Sequence, residues 1–169
     1  MDNVNVLCAT WRSNFLLLGN VSVFTEKNPV PLVLPPGRVV AMPPCAQWSR
    51  MRAFSKENRE HLNLAALCVD HFLSRGGVLE QPAGSILFRH FGLKPTLSVD
   101  QSWFGFPARK RTYLCFRDCE PLPFPLSFDL PIYRSVSSMG GVSRSQMTLD
   151  MAQWLVESVR GFKGLKSLQ

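Results

Sequence analysis

Apolar residues fall in short blocks whose spacing switches between the strand and helix periods. Residues 4–9, VNVLCA, are apolar almost throughout, which is how a parallel strand covered on both faces reads. A polar turn follows. NFLLLG over 14–19 then predicts a short helical turn that stops at Gly19. VSVF over 21–24 predicts a second strand ending at Thr25-Glu26, and RVVAM over 38–42 a third stopped by Pro43-Pro44. The ten residues between them, NPVPLVLPPG, are a loop, because proline fixes φ and lacks the N–H a regular helix needs. The clearest helix spans 55–75. Leu62, Ala65, Ala66, Val69, Phe72 and Leu73 recur at helical spacing, and Gly76-Gly77 closes it. Val78-Leu79 opens a short fourth strand, with Glu80-Gln81-Pro82 just beyond it. Residues 84–91 predict a second helix, and 96–101 and 111–116 two more strands. Residues 148–161 predict a final amphipathic helix, with Thr148 as N-cap and Asp150 in its first turn.

Strands that alternate with helices predict an α/β fold: a parallel-rich Rossmann-like sheet flanked by helices. The chain has 169 residues, which fits one domain over 1–169. The proline-rich stretch 121–146 is irregular, mobile in expectation and too short to be a second domain.

Composition narrows the picture. Hydrophobic residues make up 46% and mean hydropathy is +0.02, the balance of a globular protein. No run approaches the roughly 20 apolar residues of a membrane span. The start, Met-Asp-Asn-Val-Asn, lacks the basic and apolar parts of a secretory signal. The expected setting is the cytoplasm of a bacterial or phage-infected cell, with no membrane partner. Five cysteines, Cys8, Cys45, Cys68, Cys115 and Cys119, form no CxxC pair. With only His61, His71 and His90 beside them, no metal site is expected. A formal charge of +7 and a pI of about 9.5 point to an anionic partner, most simply nucleic acid; a basic protein that binds nothing anionic has the same composition.

In an open α/β sheet, ligands bind beyond the carboxyl ends of the strands. Three such ends carry chemistry. PPCAQW follows the strand RVVAM, EQP follows VL, and Arg109, Lys110 and Arg111 precede the strand TYLCF. Two prolines stiffen the turn that presents Cys45, as suits a nucleophile. Each group also has a plain structural role. Cys45 serves as a small buried residue, Glu80 as a backbone cap, and the arginines as a solvated turn. The remaining cysteines lie in or beside apolar elements and read as inert, and the histidines as non-catalytic.

Taken in order, these pieces resemble the cytosine-5 DNA methyltransferases. That family carries its nucleophile as PPCxxxS after a strand, and here Pro43-Pro44-Cys45-Ala46-Gln47-Trp48-Ser49 stands. Its Glu-Asn-Val becomes Glu80-Gln81-Pro82, which keeps the glutamate. Its Gln-x-Arg-x-Arg becomes Pro107-Ala108-Arg109-Lys110-Arg111, which keeps both arginines. The likeness covers residues 38–116. The chain also looks like a group of short phage and prophage proteins with the patterns PPCxxWxxxR, GGVLExP and VDQxxFGxxAxKxTWLY.

The resemblance implies S-adenosylmethionine-dependent methylation of cytosine in DNA. Cys45 adds to carbon 6 and makes carbon 5 reactive. Glu80 bonds the ring nitrogen and amine, while Arg109 and Arg111 hold the base carbonyl or a phosphate. The implied cofactor residues are Cys8, Ala9, Thr10, Glu26 and Pro43. The implied substrate residues are Gln47, Trp48, Ser49, Arg50, Arg52, Gln81, Gln101, Trp103 and Lys110. Trp48, Trp103 and Phe106 become candidates for stacking on a flipped base. The family's glycine-rich first turn is replaced by Cys8-Ala9-Thr10-Trp11, with bulky Trp11 where close approach is expected. No separate target-recognition domain is expected after TYLCF. A non-catalytic nucleic-acid-binding protein on a degenerate methyltransferase scaffold, and an enzyme modifying a free nucleotide, are the other readings.

Overall fold

The structure, a computed structural model, describes residues 2–124, 135, 138–140, 143 and 146–161. Most of the stretch 125–145 therefore lies outside the described residues. Among the described residues, six strands build one sheet: β1 (Val4–Leu7), β2 (Val21–Val23), β3 (Arg38–Ala41), β4 (Gly77–Pro82), β5 (Leu97–Asp100) and β6 (Arg111–Arg117). Their order is β2-β1-β3-β4-β6-β5. β1 pairs parallel with β2 and β3, and β3 pairs parallel with β4. β6 lies antiparallel between β4 and β5. The chain is thus α/β, with a mostly parallel sheet compatible with a Rossmann-like fold.

Helices cover both faces, and the two-residue strand period sorts the core between them. Helix α1 (Arg59–Arg75) sets Ala65, Cys68, Val69 and Phe72 against Leu7, Val39, Ala41 and Leu79. Helix α2 (Leu87–His90) is a single turn whose Leu87 and Phe88 join the same cluster. Helix α3 (Leu149–Arg160) sets Met151, Trp154, Leu155 and Val159 against Val4, Val6, Val40 and Val78 on the opposite face. That is why β1 and most of β3 are nearly all apolar: both faces of each strand are buried, and the one polar side chain of β1, Asn5, donates to the Pro35 carbonyl. No helix among the described residues is long and apolar enough to cross a membrane.

Three boundaries differ from the sequence pattern. Helix α1 starts at Arg59 rather than 55, because the Asn58 side chain accepts a hydrogen bond from His61 N and caps it there. The second helix shrinks from 84–91 to one turn. Strand β4 is longer than Val78-Leu79, and Glu80-Gln81-Pro82 lie inside it. β6 keeps pairing through Glu80↔Leu114, Gln81↔Tyr113 and Pro82↔Thr112 after β3 has ended opposite Leu79. Proline is tolerated there because one side of the strand is open. Gly77 begins β4 at φ +125, and a Cβ on it would lie 1.9 Å from the Val39 carbonyl oxygen. Only glycine lets β3 and β4 approach so closely.

Candidate functional site

β3 ends where Met42 N donates to Leu7 O at 3.1 Å, and Pro43-Pro44 then carry the chain off the sheet. The turn is pinned from below. Gln81, fully buried on β4, donates through Nε2 to the Pro43 carbonyl at 2.6 Å and accepts from the Ser85 hydroxyl at 3.0 Å. It is pinned from the side as well. Trp48 is buried against His90 and Phe91, with ring centroids 4.9 and 5.8 Å away. The Cys45 carbonyl accepts from Trp48 N and Ser49 N, so the cysteine starts a helical turn and its thiol is left exposed. Gln81→Leu removes the donor and strands the buried Pro43 carbonyl. It is expected to cost about 1–3 kcal/mol, read from urea unfolding.

The second half of the site comes from the β5–β6 hairpin. Asp100 at the end of β5 accepts through Oδ1 from both Ser102 N and Lys110 N, each at 3.0 Å. Gln101 N donates to Lys110 O at 3.0 Å and closes the base of the loop. Gln101 and Lys110 are thereby held side by side at the sheet's edge. Lys110 is half-buried, with its ammonium 5.0 Å from the centre of the Phe106 ring, while Arg109 and Arg111 are exposed.

These elements meet in one cavity of about 970 Å³ at the carboxyl ends of β1, β3 and β4. Its wall includes Cys8, Ala9, Thr10 and Ser13 from the first turn, Pro43, Pro44 and Cys45 from the second, and Ser49 and Arg50 beyond it. Glu80, Gln101, Arg109, Lys110 and Arg111 complete the other side.

Three groups on this wall, Glu80, Lys110 and Cys45, titrate away from their ordinary ranges. Burial pushes the Glu80 carboxyl above its ordinary pKa, against the opposing pull of the Lys110 charge and a hydrogen bond from Thr112. Burial lowers Lys110, against the charges of Glu80 and Cys45. Burial also raises the Cys45 thiol, the Glu80 charge raises it further, and Lys110 opposes both. Although the thiol is open to the cavity and Glu80 borders it, the enclosing protein leaves little water to solvate either charge. Glu80 is oriented by a directional chain. Gln101 Nε2 donates to Thr112 Oγ1 at 2.8 Å, so the single hydroxyl proton of Thr112 is directed at Glu80.

Several residues implied by the resemblance do not line the cavity. Gln81 and Trp48 support the Cys45 turn from outside it. Trp48 and Phe106 have buried rings already committed to packing, so neither offers a free face to a base. Trp103 stands beside Phe124, with centroids 5.8 Å apart. Gln47 donates to Lys56 O, and Arg52 to Ser49 O. Glu26 is exposed and accepts from Trp11 N at 3.3 Å. Trp11 itself does not obstruct the cavity. Its ring is 43% exposed, with the Arg12 guanidinium 4.2 Å and the Lys27 ammonium 4.0 Å from its centre. Asp100 and Thr112 are given no role by the methyltransferase likeness, although both fall on the VDQxxFGxxAxKxTWLY pattern; Thr112 is fully buried on the same face as Leu114. No protein-family model matches the chain, and no curated protein matches it.

Proposed function

We propose that this protein methylates cytosine in DNA, with Cys45 as nucleophile and S-adenosylmethionine as methyl donor. The observation that carries the reading is the shared cavity. It places a thiol, a carboxyl of raised pKa and a partly desolvated amine at the carboxyl ends of parallel strands. The strand order, with β6 antiparallel inside an otherwise parallel sheet, agrees with a Rossmann-like sheet of the methyltransferase type.

The chemistry follows from the residues. The Cys45 thiolate adds to carbon 6 of the base. In its protonated form, which burial favours, Glu80 is held by Thr112 through one oxygen and has the acid proton left for the ring nitrogen. Electron density pushed into the ring by the sulfur is neutralised there, and carbon 5 becomes enamine-like. Lys110 holds positive charge near both groups and favours the thiolate. Arg50, Arg109 and Arg111, at the rim, suit phosphate or the base carbonyl. A base in a duplex must leave the stack to reach Cys45.

The wall of small residues after β1 fits the donor. Ala9, Thr10, Ser13 and Pro43 would hold it, and Cys8 turns the chain away in the left-handed region at φ +62, as a glycine otherwise does. Glu26 contributes nothing to this wall. S-adenosylmethionine, when bound, would supply an electrophilic methyl group for carbon 5, whose proton then passes to water as the Cys45–carbon 6 bond breaks and frees the thiolate. A cavity near the top of the usual range for ligand sites has room for two occupants.

The absence of glycine from the first turn favours a second reading, a basic nucleic-acid-binding protein with no cofactor. A thermal shift with S-adenosylhomocysteine separates the two. At about a hundredfold excess over Kd, a bound ligand stabilises by about 2.7 kcal/mol, so Tm is expected to rise by several degrees. No shift at millimolar ligand, with salt-dependent DNA binding retained, would favour the binding protein.

A further inference from the structure

The sulfurs of Cys8 and Cys68 lie 3.3 Å apart, and both thiols are free. One belongs to the turn after β1, the other to the middle of α1, 60 residues along the chain. Their meeting depends on an unusual backbone. Cys8 sits at φ +62, where L-residues are rare, and the ladder on each side holds it there: Ala9 N donates to Phe24 O and Met42 N to Leu7 O. The position best suited to glycine carries a thiol instead, aimed at a second thiol across the sheet–helix interface. The two differ in access. Cys8 is on the cavity wall, whereas Cys68 is fully enclosed among Leu7, Val69 and their neighbours.

We infer that Cys8 and Cys68 form a redox site in which hydrogen peroxide converts the dithiol to a disulfide. Peroxide is small enough to reach Cys8 through the cavity. The Cys8 sulfur attacks one peroxide oxygen, the O–O bond breaks, and the departing hydroxide takes the thiol proton as water. Cys8 is left as a sulfenic acid. The Cys68 sulfur then attacks the Cys8 sulfur. The S–S bond forms, the S–O bond breaks, and the hydroxyl leaves with the Cys68 proton as a second water. Two thiols and one peroxide give one disulfide and two waters, with two electrons passing from sulfur to oxygen. The contact with Cys8 and burial push the Cys68 thiol above its ordinary pKa, and only Cys8 lies on the cavity wall, so Cys8 is the sulfur that meets peroxide. Bond formation needs the sulfurs to close by only about 1.2 Å. The bond would fix the turn bearing Ala9 and Thr10 to α1, and with it one wall of the cavity. The disulfide needs neither Cys45 nor the methyl donor, although the turn it would fix belongs to the donor wall proposed above.

The test uses the reduced full-length chain, treated with hydrogen peroxide, then denatured, alkylated and mapped by mass spectrometry. The expected product is a cross-linked Cys8–Cys68 peptide pair, lighter by two hydrogens and reopened by dithiothreitol, with the remaining thiols alkylated. The same pair is expected in Cys45→Ser. It is expected to vanish in Cys8→Gly, a variant that relieves the left-handed backbone and so retains the fold, and in Cys68→Ala. Alkylation of both Cys8 and Cys68 after oxidation would overturn the assignment. So would a lasting sulfenic acid on Cys8, or pairing of Cys8 with Cys45.

Discussion

Cys45→Ser is expected to bring methyl transfer to DNA down to background, a loss on the order of 10⁴- to 10⁶-fold, as when a covalent nucleophile is removed. The size follows from the site. Burial and the Glu80 charge already push the thiol upward, so even sulfur ionises reluctantly there. A hydroxyl, far less acidic and less nucleophilic, gains no usable anion from the nearby Lys110. The fold supplies the control. The turn is held by the Pro43 carbonyl, Gln81 and Trp48, none of which needs the sulfur. Single-turnover rates should therefore collapse, while Tm and the shift with S-adenosylhomocysteine stay at wild-type values. A serine variant that turns over within tenfold of wild type would remove Cys45 from the chemistry.

Glu80→Gln is expected to lower the rate by about 10²- to 10⁴-fold and to change the shape of the pH profile. Transfer needs the thiolate and the protonated carboxyl together. That form is a constant minority between the two pKa values and declines outside them. The wild-type profile is therefore bell-shaped, with an acid limb above the ordinary carboxyl range and an alkaline limb above the ordinary thiol range. Loss of the Lys110 charge acts in the same direction on the alkaline side. In Glu80→Gln the plateau should collapse into a single rise toward the thiol pKa. Stability carries a matching sign. Glu80 has a folded pKa above its unfolded one, so its contribution is fully present below the unfolded pKa and lost as pH rises through the folded value. Melting curves over that window should show the decline in wild type and not in the variant. An unchanged pH–rate profile in Glu80→Gln would exclude Glu80 as the proton donor.

Parts of this architecture are legible in the residues. VNVL and RVVA announce buried parallel strands because both faces are covered. Thr148 caps α3 as its type and position predict, accepting from Met151 N at 3.3 Å. The three strand ends that open on the cavity are visible as motifs. Other features depend on partners distant in sequence. The length of β4, and so the placement of Glu80 within a strand, is set by β6 more than thirty positions later. Gln81 sits beside Glu80 on the chain yet points to the opposite face, where it ties down the Cys45 turn. Among the three cations of the ARKR run, Asp100 determines which one the hairpin turns toward Glu80. The sequence presents Arg109, Lys110 and Arg111 as equals; the loop closure makes Lys110 the half-buried one. Trp48 is a stacking candidate only through the resemblance, with packing as its plain reading, and it is a wedge once α2 is folded against it.

The covalent mechanism proposed for Cys45 leaves a methyl group on cytosine. Its most direct measurement is transfer of labelled methyl from S-adenosylmethionine to double-stranded DNA, followed by nucleoside analysis, with Cys45→Ser run beside the wild type. 5-Methylcytosine is expected from the wild type and none from the variant. No labelled nucleoside from the wild type, or equal label from the variant, would contradict it.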